Sequence, residues 1–92
     1  MVDLDNLQRV DVLWVDAVCT GGSEWQTMEE MEEAVERGPS LVRTCGYLVK
    51  ECDEYIALVD TIILDGDACG YVHVLPMGMV KHISRLEVSH HE

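Results

Sequence analysis

The chain has 92 residues and a mass of 10.4 kDa, which is room for one small domain. Six Lys and Arg stand against 18 Asp and Glu, for a formal net charge of −12. That balance disfavours a general grip on long DNA or RNA, which comes from cations neutralising phosphates.

The apolar fraction is 48%, which sets the chain apart from disordered tails. No run of about 18 apolar residues is present, so no membrane span is expected. No basic segment leads into an apolar run, so no secretion signal is expected either. The expectation is a cytoplasmic protein with reduced thiols. The charge is uneven: residues 1–40 carry 10 acids and 2 bases, and residues 41–92 carry 8 acids and 4 bases. A local cationic spot has room only in the second half.

Residues 1–8 form a polar lead-in, and Val10–Val18 reads as a strand closed by Thr20-Gly21-Gly22. Ser23 then fits an N-cap, with Gln26 three residues on. Trp25, Met28, Met31 and Val35 recur at helical spacing, while Glu29, Glu30, Glu32, Glu33 and Glu36 fill the other face. The spacing predicts an amphipathic helix over 24–36, stopped by Gly38-Pro39, with the Trp25/Met28/Met31 stripe turned to the core. The glutamates read as a solvated face, or as a surface for a basic protein partner.

The remainder reads as β. Leu41–Lys50 is a strand whose Gly46 marks a bulge or sharp bend. Cys52-Asp53-Glu54 is a turn, and Tyr55–Ile63 is the next strand. A loop through Asp65-Gly66-Asp67 and Gly70 follows, then strand Tyr71–Leu75, the turn Pro76-Met77-Gly78, and a last strand Met79–Val88. No βαβ alternation appears, so a doubly wound sheet is not expected. Strongly bent strands in so short a chain point to a small barrel, which removes open edges.

Signals for chemistry are sparse. Cys19, Cys45, Cys52 and Cys69 form no C-x-x-C pair and read as buried structural thiols. The tail Ser89-His90-His91-Glu92 is too short to hold a metal alone. There is no nucleophile elbow and no H-E-x-x-H. Gly21-Gly22-Ser23 lacks the lysine of a phosphate-binding loop, and Asp60, Asp65 and Asp67 do not complete an EF-hand pattern. A non-catalytic protein without metal or cofactor is expected.

One stretch carries a resemblance. Gly46-Tyr47-Leu48, then Asp53-Glu54-Tyr55-Ile56 and Leu58, then Lys81-His82-Ile83-Ser84, fall in the order found in Sm-like (Lsm) proteins. Residues 41–88 resemble that family, nearest the bacterial host-factor RNA chaperones. Several features depart from the pattern. The step from Gly46 to Asp53 is one residue longer, Ala57 stands where many members carry Asn, the Arg-Gly of the second motif is missing, and the helix lies between strands instead of leading them. The chain also resembles small acidic proteins of phage genomes.

The resemblance implies a mainly β fold: a five-stranded, strongly bent Sm-like barrel with the helix inserted after the first strand. It implies a homo-oligomeric ring, closed by pairing strand Tyr71–Leu75 of one copy with the last strand of the next. The interface would take in Tyr71, Val72, His73, Val74, Val80, Ile83 and Leu86. It also implies a base-binding site at subunit boundaries, with Tyr55 stacking and Lys81 and His82 contacting the ligand beside Asp53. As residue types alone, Tyr55 is more often a half-buried strand aromatic, Lys81 a solvated charge, His82 a surface or interface histidine and Asp53 a turn residue. A mononucleotide or short oligonucleotide needs only local cations and tolerates the net charge better than RNA does. The expected function is non-catalytic binding of such a ligand, in a phage-type accessory protein that holds a host signalling nucleotide out of circulation. The alternatives are an RNA-binding Lsm protein and an acidic adaptor using the glutamate face.

Overall fold

The computed structural model describes residues 7–22 and 24–86. The fold is mainly β. Strands β1 (Arg9–Asp16), β2 (Ser40–Glu51), β3 (Tyr55–Val59), β6 (Val72–Pro76) and β7 (Val80–Leu86) make one five-stranded sheet in the order β6-β3-β2-β1-β7. All four pairings are antiparallel. Helix α1 (Met28–Arg37) follows β1, and β4 (Ile62–Ile63) pairs with β5 (Ala68–Cys69) as a small separate hairpin. A 3₁₀ turn over Met77–Met79 joins β6 to β7, the two sheet edges.

The core follows from alternation along the strands. Val10 and Val12 of β1, Ile56 and Leu58 of β3, and Leu75 of β6 are buried together. Trp14, Leu48, Met77, Val80 and Ile83 pack around them. Trp14 keeps its indole N–H satisfied by donating to Thr44 Oγ1 at 2.9 Å.

β2 is the strand that bends. Its first part pairs with β1 and its second with β3, and Tyr47 has a partner in both, Arg9 and Val59. Gly46 permits the bend: a Cβ there would lie 2.6 Å from the Val59 carbonyl oxygen. The end of β2 is tied to β7 across the intervening β1. Arg85 donates to Glu51 at 2.7 Å, and these two are in register with buried Val10 and Ile56, so they lie on the core face of the sheet.

Several expected boundaries move. The first strand stops at Asp16 instead of Val18, which is half exposed. The helix starts at Met28, not 24, because Thr27 caps it: Thr27 Oγ1 accepts from Glu30 N–H at 3.1 Å. Ser23, expected to cap, lies outside the described residues, and Gln26 donates to Thr20 Oγ1 at 3.2 Å instead of completing a capping box. Gly38 ends the helix with φ at 73°. The expected strand Tyr55–Ile63 is two elements, broken at Asp60-Thr61, where Asp60 N–H reaches the Tyr71 carbonyl and the Thr61 carbonyl accepts from Gly70. The expected end of the last strand, Glu87 and Val88, and the tail 89–92 lie outside the described residues.

Two expectations about burial fail. The Trp25/Met28/Met31 stripe does not face the core: α1 buries no residue and Trp25 is fully exposed. The reason is topological. α1 sits at the far end of the β1–β2 hairpin, past the Asp16–Ser40 pair, and makes no substantial packing on any strand. The molecule is accordingly long, 59 × 25 × 25 Å, with a radius of gyration of 17.6 Å against about 12 Å for a compact chain of this length. The cysteines are not buried either: Cys19, Cys45 and Cys69 are exposed and Cys52 is half-buried. No helix among the described residues is long and apolar enough to cross a membrane.

Candidate functional site

The Cys52–Glu54 turn closes the β2–β3 hairpin, with Cys52 N–H donating to the Tyr55 carbonyl at 3.0 Å. The same turn is pinned to the 3₁₀ segment, because Met77 N–H donates to the Glu54 carbonyl at 2.8 Å. Tyr55 opens β3 and pairs with Pro76, the last residue of β6. The chain then runs through Met77–Met79 into Val80, Lys81 and His82 of β7. Tyr55 and Asp53 therefore lie at the end of the sheet from which β7 departs. Tyr55 is half-buried, while Asp53, Lys81 and His82 are exposed. Among the described residues, no hydrogen bond or cation–π pair joins Tyr55 to Lys81 or His82.

Two β-bulges decide which side chains face outward here. Leu48 pairs with Leu58, but Lys50 pairs with Ala57, so Val49 is the extra residue. By plain alternation Lys50 would share the core face with Leu48. The bulge turns it to the outer face, beside Tyr55. Its ammonium stands 5.2 Å from the Tyr55 ring centroid. Tyr55, through its hydroxyl and then its charge, holds the Lys50 ammonium above its ordinary value of 10.5.

The second bulge is in β7. Leu13 pairs with His82 and Trp14 with Val80, which leaves Lys81 unpaired. Val80 and Ile83 can then both pack toward the core, while Lys81 and His82 both project to solvent. A regular strand would alternate them.

Among the described residues, the bases of the second half divide into two kinds. Arg43 is paired with Asp11 at 3.5 Å and Arg85 with Glu51 at 2.7 Å. Lys50 and Lys81 have no carboxylate partner. The Glu51 carboxyl is held below its ordinary 4.5, first by its hydrogen bond from Arg85. The Cys45 thiol shifts the other way, raised first by partial desolvation and then by neighbouring Asp11. No group of three or more His, Cys, Asp or Glu among the described residues is placed to hold a metal ion.

Lys50 is the residue sequence reading overlooked. The available signal was the hairpin itself: the Cys52–Glu54 turn sets Glu51 opposite Ile56 and Lys50 opposite Ala57, so Lys50 and Tyr55 lie diagonally across two antiparallel strands.

The expected interface residues divide by face. Tyr71, Val72, Val74 and Leu86 are 80%, 54%, 58% and 47% exposed. His73 pairs with Leu58 on the inward side and is half-buried, and Val80 and Ile83 pack on the core. Only the first four offer side chains to a neighbour. On the same face, Ala57 and Val59 of β3 pair side by side with Val74 and Val72 of β6, so that face is apolar where it meets the sheet edge.

No family model, no curated protein and no solved structure matches this chain.

Proposed function

We propose that this chain is a non-catalytic, Sm-like subunit that assembles with itself and binds a nucleotide-type ligand at the boundary between copies. The sheet order β6-β3-β2-β1-β7 leaves β6 and β7 as open edges joined by one 3₁₀ turn. Pairing β7 of one copy with β6 of the next would satisfy both edges and continue the sheet around a ring. It would also bring Lys81 and His82 of one copy toward the Tyr55 end of its neighbour.

The observation that carries this reading is the pair of bulges. Each breaks alternation to turn a cation outward, Lys50 on the central strand β2 beside Tyr55 and Lys81 on the edge strand β7. Bulges are commonly kept where a side chain must be re-aimed. Tyr55 then offers a ring for stacking, with Lys50, Lys81 and His82 as donors to phosphate or base edges. Asp53 remains exposed at the rim. Two unpaired lysines suit a mononucleotide or short oligonucleotide better than a long strand. Sequestration of a host signalling nucleotide by a phage-type accessory protein is one setting for such a module.

Native mass spectrometry of protein purified without denaturation tests both halves of the proposal. The expected result is a defined oligomer carrying a nucleotide-sized mass per boundary. Titration with labelled mononucleotides and short oligoadenylate or oligouridylate then gives affinities for wild type and Tyr55→Ala. Loss of one stacked base costs about 1–3 kcal/mol, roughly 5- to 150-fold in Kd. A monomer, or a Tyr55→Ala variant of unchanged affinity, refutes the reading.

A further inference from the structure

We propose that α1 and the segments flanking it form a docking surface for a basic, amphipathic helix of a partner protein. The surface lies at the opposite end of β2 from Tyr55 and does not depend on the nucleotide reading.

Three observations lead there. First, the arm is apolar on one side. Met28 and Val35 are 70% and 72% exposed, and Met31 is 38% exposed. Helical spacing sets them on one stripe with Ala34. Second, the stripe borders a cleft of about 590 Å³ whose apolar lining is Val18, Met31, Ala34, Val35 and Pro39, with Arg37 as its one charged lining residue. A cleft of this kind takes the i, i+3/i+4 and i+7 side chains of an incoming helix. Third, the arm stands clear of the sheet: among the described residues, no strand packs substantially on the helix and α1 buries no residue.

Charge selects the occupant. Residues 17–39 hold six glutamates and a single base, Arg37. By helical periodicity Glu32 and Glu36 flank the stripe on one side and Glu30 on the other. A second copy of the arm would bring the same acids face to face, within a Debye length of about 8 Å. An anionic lipid surface is repelled for the same reason. A helix with Lys or Arg flanking an apolar ridge meets both the stripe and its acidic borders.

The test is fluorescence anisotropy of the full chain with a labelled Leu/Lys amphipathic peptide of roughly 18 residues, long enough to hold a helix, in about 0.15 M salt. A scrambled peptide of identical composition is the control. The double variant Met31→Glu/Val35→Glu separates the two contributions, since it removes apolar contact while adding negative charge. Wild type is expected to bind the patterned peptide in the micromolar range, and this variant about tenfold or more weaker. Glu30→Gln/Glu32→Gln/Glu36→Gln, which leaves the stripe intact, is expected to bind several-fold weaker. These positions are exposed, and circular dichroism should show an unchanged fold. Four results overturn the proposal: no binding by wild type, equal binding of the scrambled peptide, equal or tighter binding by Met31→Glu/Val35→Glu, or a lower oligomeric mass for that variant, which would make the occupant a second copy.

Discussion

Replacing Gly46 by alanine tests the bend in β2 directly. The added Cβ would stand 2.6 Å from the Val59 carbonyl oxygen and 3.2 Å from its carbon. An ordinary contact needs at least 3.4 Å, so β3 must retreat by most of an ångström at its last residue. The oxygen belongs to backbone, and Val59 is paired on both sides, with Tyr47 and Val72. It cannot swing away as a flexible side chain would. Overpacking of this kind costs about 1–3 kcal/mol. The lower chain entropy of alanine returns about 0.4–1 kcal/mol through the unfolded state. The net expectation is a loss of about 1–2 kcal/mol, or some 4–16 °C in Tm at this size. Gly78→Ala is the matched control, because a Cβ there meets nothing within 4 Å. It should be neutral or slightly stabilising. Urea denaturation followed by tryptophan fluorescence, at fixed protein concentration to hold any assembly constant, gives both values. A Gly46→Ala protein as stable as the Gly78→Ala protein would refute the claim that close approach of β3 dictates this glycine.

Further outcomes are expected. Leu58 is fully buried at the centre of the core, so Leu58→Ala should cost about 2–5 kcal/mol in the same urea assay; a loss below 1 kcal/mol would place the core elsewhere. Glu51 has its carboxyl lowered from 4.5 by Arg85, so the ion pair stabilises the fold above the unfolded value and that contribution is lost as pH falls through the lower folded value. Glu51→Gln should therefore show a lower urea midpoint than wild type at neutral pH, with the gap closing as pH falls through the lowered folded value, and a pH-independent gap would contradict this. Val72→Lys with Val74→Lys places two charges on the exposed outer side of edge strand β6. It should abolish the proposed self-assembly, leaving monomers by size-exclusion chromatography with the fold intact by circular dichroism, and assembly unchanged from wild type would move the proposed interface off β6.

Much of the sheet was legible because its rules are local. Gly46 inside a β-branched run signalled a bend, and the bend is there. The acidic Asp53-Glu54 turn and Pro76-Met77-Gly78 gave the connections to within a residue or two. The break at Asp60-Thr61 was hidden, since Ile62 and Ile63 continue the apolar pattern of β3. Only long-range bonds from Gly70 and to Tyr71 reveal that they belong to another hairpin. The bulges at Val49 and Lys81 were hidden for a related reason: alternation cannot announce its own interruption. The helix teaches a different lesson. Its period correctly gave an apolar face through Met28, Met31 and Val35, but periodicity is silent on what covers such a face. Insertion at a hairpin tip carried that face away from the core between the strands.

The pairing of β1 has a consequence for synthesis. Its partners are β2, next in sequence, and β7, whose Leu86 lies opposite Arg9. As the chain is made, β1 and β2 can zip early, but the other edge of β1 must wait for the last strand to emerge. Until then Val10 and Val12 lie on a bare edge, open to any passing strand. Closing so wide a loop is slow, because its entropy must be lost before the contacts form. The acidic arm is complete long before that moment, and its charge repels other nascent copies while the sheet is still unfinished.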